Sequence, residues 1–103
     1  MAIATNVEES IRRFVDLATV DLRLQAVYLF GSYAKGHSHE WSDIDLAIVS
    51  SDFSGDSFDD SKRLIPYILN VDTAIEVHPF RPEEFSADNP FVQEILDTGI
   101  RVY

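Results

Sequence analysis

Leu29-Phe30-Gly31-Ser32-Tyr33-Ala34-Lys35-Gly36, followed after a polar loop by Trp41-Ser42-Asp43-Ile44-Asp45-Leu46, decides how this chain folds. An apolar run stops at Gly31-Ser32, and two aspartates flanking one isoleucine open the next apolar run. On a strand, residues i and i+2 share a face. Asp43 and Asp45 therefore point the same way, with backbones roughly 6–7 Å apart, while Ile44, Leu46 and Ile48 face a core. Neighbouring carboxylates repel, and each is costly to bury unpaired. A hard divalent cation with oxygen ligands answers both problems. The turn before them suits an anion. Gly31 lets backbone approach a ligand closely, Ser32 adds a hydroxyl, and the next N–H groups open a helical turn. A phosphate cradle beside a dicarboxylate cation site is what phosphoryl or nucleotidyl transfer requires.

Working outward, Leu24 to Phe30 reads as a buried strand and Ser32 to Lys35 as one helical turn, with residues 43–50 as the second strand. Only a short loop joins the two strands, so they are expected to be antiparallel neighbours. Upstream, residues 5–19 form a helix: Thr5 and Glu8 have capping-box spacing, and Val7, Ile11, Phe14, Val15 and Leu17–Ala18 make an apolar stripe. Ser50 to Asp60 is a polar, acidic loop, the one stretch of linker-like composition. Residues 58–69 read as a helix on Leu64, Ile65 and Ile68, with Pro66 either kinking it or marking its true start. Residues 72–80 alternate as a third strand, stopped by Pro79 and Pro82. A turn or short helix over Pro82 to Phe85 follows. The last elements are a helix over 90–98, ended by Gly99, and a terminal strand from Ile100 to Tyr103. The order predicts an α/β (α+β) fold, a small mixed β-sheet packed by helices.

Two aspartates rarely complete a two-metal site, so a third carboxylate is expected from the third strand. Asp72 and Glu76 share parity but stand four residues apart, roughly 13 Å along a strand. Glu76 is favoured because it lies between Ile75 and Val77, where an unpaired carboxylate would be costly. Asp72 remains open as the alternative, or as a turn residue. Lys35 is a candidate triphosphate contact. His37 and His39 read as loop residues, His78 as structural, Trp41 as packing beside the site and Ser42 as a loop-fixing hydroxyl.

Composition bounds the reading. The 103 residues are expected to make one domain, 1–103, and 46% apolar content supports a core rather than disorder. No cysteine is present, which removes disulfides and thiolate metal sites and fits a reducing, cytoplasmic setting. No apolar run approaches the ~20 residues of a membrane span, and the N-terminus shows no basic-then-apolar leader. The net charge of −10 repels nucleic acid and anionic lipid, so direct nucleic-acid binding is not expected. A nucleotide carried in with Mg²⁺ escapes that repulsion.

Gly31-Ser32, ten residues, then Asp43-Ile44-Asp45 resembles the signature of the DNA polymerase β-like nucleotidyltransferase superfamily. Within it the chain resembles the minimal nucleotidyltransferase (MNT) group, single small domains related to the N-terminal domain of kanamycin nucleotidyltransferase. The likeness runs from the leading helix through Ser42-Asp43-Ile44-Asp45-Leu46 to Pro90-Phe91 and Gly99-Ile100. It implies the nucleotidyltransferase fold, with Gly31, Ser32 and Lys35 on the triphosphate of ATP. It also implies two Mg²⁺ ions on Asp43, Asp45 and a third acid that doubles as a base. That acid is commonly aspartate in the family, so Glu76 departs in type. MNT proteins often serve as antitoxins to a small helical HEPN ribonuclease, and some transfer AMP onto a tyrosine of that partner. The resemblance therefore implies a HEPN-type toxin as partner, in a hetero-oligomer. Two functions follow, a protein adenylyltransferase or a binding module that neutralises its partner by complex formation alone. Transfer to a small molecule such as an aminoglycoside is disfavoured, because 103 residues leave no room for a second, acceptor-binding domain.

Overall fold

Apolar periodicity decides which faces turn inward. A computed structural model describes residues 5–36 and 42–103. Helix α1 (Thr5–Asp21) buries Val7, Ile11, Phe14, Val15 and Ala18 of its predicted stripe, while Leu17 stays exposed at the edge of that face. Strand β1 (Leu24–Phe30) leads through Gly31 into a single turn, α2 (Ser32–Lys35). Strand β2 (Ile44–Ser50) starts one residue after Asp43. Helix α3 (Ser57–Val71), strand β3 (Ile75–Phe80), a 3-10 turn (Pro82–Glu84), helix α4 (Pro90–Thr98) and strand β4 (Ile100–Arg101) complete the order.

The sheet order is β3-β2-β1-β4. β1 runs antiparallel to both neighbours, whereas β2 and β3 are parallel. The mixed sheet follows from the connections: β1 and β2 are joined through a short link, but β2 and β3 are joined through α3, a crossover long enough to return parallel. Alternation then splits the sheet into two faces. Val27, Leu29, Ile44, Leu46, Ile48 and Ile75 form one buried core with α1 and with Phe53 and Leu64. Phe14 meets Tyr67 edge-on at 6.4 Å, locking α1 against α3. The opposite face carries Tyr28, Phe30, Asp45, Ala47, Glu76, His78 and Phe80. Phe91 of α4 packs on Phe30 and Phe80 there, and Phe85 packs on Tyr28 and Phe80.

Four details depart from the sequence reading. Pro66 neither starts nor ends α3, which runs on to Val71. The proline removes one N–H, but its position is exposed, and its own carbonyl gains the Asn70 side-chain amide at 2.8 Å. Pro79 does not stop β3, because β3 is an edge strand and an edge has one side that needs no donor. Gly99 ends α4 in extended backbone (φ −79°, ψ 167°), not in the left-handed region. It is glycine because a Cβ would strike the Ile95 carbonyl and crowd that of Leu29. The acidic loop after β2 is pinned. Asp60, buried at the start of α3, accepts hydrogen bonds from the Ser54 N–H and hydroxyl and from the Gly55 N–H, at 2.8–3.0 Å.

Candidate functional site

The register of β2 against its neighbours builds the site. Asp45 pairs with Phe30, the last residue of β1, on one side and with Glu76 on the other. Glu76 and His78 are two residues apart on β3 and share a face, so His78 arrives beside the same carboxylate. His78 Nε2 lies 3.4 Å from Asp45 Oδ1. One donor atom each from Asp45, Glu76 and His78 falls within 4.8 Å of the others, the one place among the described residues where three such groups converge. Asp43 stands just outside this cluster, exposed, one residue before β2.

Gly31 closes the opposite wall. Its φ of +74° lies in the region that L side chains avoid, and a Cβ there would collide with the Asp45 carboxylate. The backbone turn and the acid are thus packed directly together. Ser32 begins α2 half-buried, and Gly36, at φ +76°, ends it with its N–H on the Ser32 carbonyl. Two positive-φ glycines therefore frame the single turn.

Glu76 and Asp72 are placed differently. Glu76 stands opposite Asp45. Asp72 ends α3, where its side chain accepts from the Ser10 hydroxyl (3.1 Å) and the Ala74 N–H (2.9 Å). Its carboxylate serves the α3–β3 turn. Lys35 reaches Glu94 of α4 at 2.7 Å, a solvent-exposed pair of little energetic worth. His37, His39 and Trp41 lie outside the described residues. Ser42 is buried.

Glu76 is held above the ordinary carboxyl range. Loss of solvation is the largest cause, followed by the Asp45 charge; His78 opposes the shift, while Asp43 and a hydrogen bond with Asp45 reinforce it. Like charges crowded on one face are what a divalent cation neutralises, so the donor set fits such an ion. Sequence reasoning set His78 aside as structural. The available signal was its parity with Glu76, and the Pro79 beside it hid that by suggesting a strand end.

A groove of about 530 Å³ opens beside this cluster, lined by Ser57, Phe58, Ser61, Glu76, His78 and Phe91 among others. Phe58 is 70% exposed on its rim. A larger groove, about 600 Å³, lies between α1 and residues 100–103 and contains none of the motif residues.

A model of the family described as "Polymerase beta, Nucleotidyltransferase" matches residues 9–103. The "Putative protein adenylyltransferase MJ1379" of Methanocaldococcus jannaschii is 26% identical over 100 residues, 97% of each chain. The "Protein adenylyltransferase MntA" of Shewanella oneidensis is 53% identical over 30 residues, 29% of this chain and 22% of that one. Among solved structures, the crystal structure of a toxin-antitoxin with AMP-PNP aligns with a TM-score of 0.58 at 26% identity, covering 93% of this chain and 72% of the other.

Proposed function

The chain belongs to the polymerase beta nucleotidyltransferase family, and from that premise we propose that it is an ATP- and Mg²⁺-dependent protein adenylyltransferase. It transfers AMP to a hydroxyl, a tyrosine phenol, on a HEPN-type toxin and thereby acts as an antitoxin. Its 103 residues work as one minimal nucleotidyltransferase domain in the cytoplasm. The observation that carries this reading is the pairing of Asp45 with Glu76 against the Gly31-Ser32 turn. The names of the relatives and the AMP-PNP of the toxin-antitoxin neighbour support it.

In this reading Asp43, Asp45 and Glu76 would hold the metal, two ions when fully loaded, and Mg²⁺ there would supply positive charge against the triphosphate. Ser32 and the N–H groups of α2 orient the phosphates. The acceptor hydroxyl attacks the α-phosphorus, pyrophosphate departs, and Glu76 takes the hydroxyl proton. The groove lined by Phe58, Phe91 and Glu76 gives an aromatic acceptor an apolar wall leading to that carboxylate.

The test is incubation of the complex with ATP and Mg²⁺, followed by intact-mass measurement of the helical partner. A gain of one AMP per transfer, absent with Asp43→Asn and Asp45→Asn together, is the expected result. No gain under any metal or nucleotide condition refutes catalysis. If the double variant also still neutralises the partner fully, the chain acts by complex formation alone.

A further inference from the structure

We propose that His78 is a direct ligand of the ion held by Asp45 and Glu76, making a mixed oxygen–nitrogen site that binds first-row transition ions more tightly than Mg²⁺. The inference rests on the reading that this cluster is the metal site. It goes further by adding a residue and a selectivity.

The geometry carries it. Donors about 2.1 Å from one ion lie about 3.0 Å apart when adjacent and about 4.2 Å apart when opposite. His78 Nε2 and Asp45 Oδ1 are 3.4 Å apart, a few tenths of an ångström beyond the separation of adjacent ligands, and one donor atom from each of the three residues lies within 4.8 Å of the others. The imidazole is already aimed. Its ring is edge-on to Phe30 at 4.9 Å and to Phe91 at 5.8 Å, so two aromatic walls fix its plane with Nε2 toward Asp45. Such an orientation costs no rotamer entropy on binding. Mg²⁺ demands oxygen ligands in near-ideal octahedral geometry and dehydrates reluctantly. Imidazole instead suits transition ions, which gain affinity from a nitrogen donor. An aspartate or a water at this position would leave the site all-oxygen and hard. His78 softens it.

Mn²⁺ alone, titrated into the full chain and followed by electron paramagnetic resonance, provides the test. The bound ion should show spin-echo modulation from a coordinated imidazole nitrogen, altered by ¹⁵N-histidine labelling. His78→Gln should abolish that modulation and weaken Mn²⁺ binding at least tenfold. Mg²⁺ affinity, measured by competition, should change less than about twofold. His37 and His39 remain in the variant, so loss of the signal assigns the nitrogen to His78. Absence of nitrogen coupling in the unaltered protein overturns the inference, whether or not His78→Gln folds. Asp45→Asn separates the levels. If it binds Mn²⁺ as tightly as the unaltered protein, the metal lies elsewhere and the underlying reading falls too. If it abolishes binding and the unaltered protein shows no nitrogen coupling, only the role of His78 falls.

Discussion

Gly31 answers two requirements at once, a positive-φ backbone (φ 74°, ψ −148°) and an empty volume for the Asp45 carboxylate. Gly31→Ala should therefore cost about 1–3 kcal/mol for the backbone alone and also push Asp45 out of register with Glu76. Initial rates should fall on the order of 100-fold, because misplacement by an ångström is enough, while circular dichroism stays unchanged. Glu76 makes a separate prediction. Its folded pKa lies above the unfolded value, so the native state binds more protons than the unfolded chain in that window. Stability contributed by this group is present below the ordinary carboxyl range and is lost as pH rises through the raised value. In metal-free buffer, Glu76→Gln should raise Tm slightly at neutral pH and leave it unchanged below the ordinary carboxyl range. A saturating divalent cation should erase the difference. Thermal melts across pH, with and without metal, check both parts.

Most elements were legible because their ends carry distinct chemistry. Leu24 to Phe30 stops at Gly31, and the helix from Pro90 to Thr98 has proline at its start. Its Asn89 accepts from the Phe91 N–H at 2.9 Å, an ordinary N-cap. The boundaries around α3 were less legible, because tertiary bonds fix them. Asp60 is one acid among several in the sequence, yet it alone gathers three donors from the loop. Asp60→Ala should destabilise the protein by about 2–3 kcal/mol, since it removes a buried charged acceptor that holds three loop donors. Neighbouring Asp59, exposed in the first turn of α3, should cost under about 0.5 kcal/mol when changed to Ala. Chemical denaturation of the two variants makes the comparison. At the site, Asp45 and the Gly-Ser turn could be read from spacing. Parity set His78 on the Glu76 face, but its approach to Asp45 depends on the β2–β3 register, which no local pattern specifies.

At the scale of the whole molecule, topology brings together residues that the chain keeps far apart. The parallel β2–β3 pair sets Glu76 against Asp45, and α3 is the crossover that makes that pairing possible. Among the described residues no helix is long and apolar enough to cross a membrane. The net charge of −10 suits a basic partner, so association should slow about tenfold between low and physiological salt while dissociation changes little. Stopped-flow binding at several ionic strengths checks this. The sheet, and not sequence proximity, brings Glu76 to Asp45, whereas Asp72 is bonded to Ser10 and Ala74. Transfer of label from α-³²P-ATP to the partner by Glu76→Gln and by Asp72→Asn, side by side, tests whether that placement matters. Glu76→Gln should lose at least about 100-fold, and Asp72→Asn should stay within a few-fold of the unaltered protein. The reverse order, or equal losses from both in folded protein, would contradict the account.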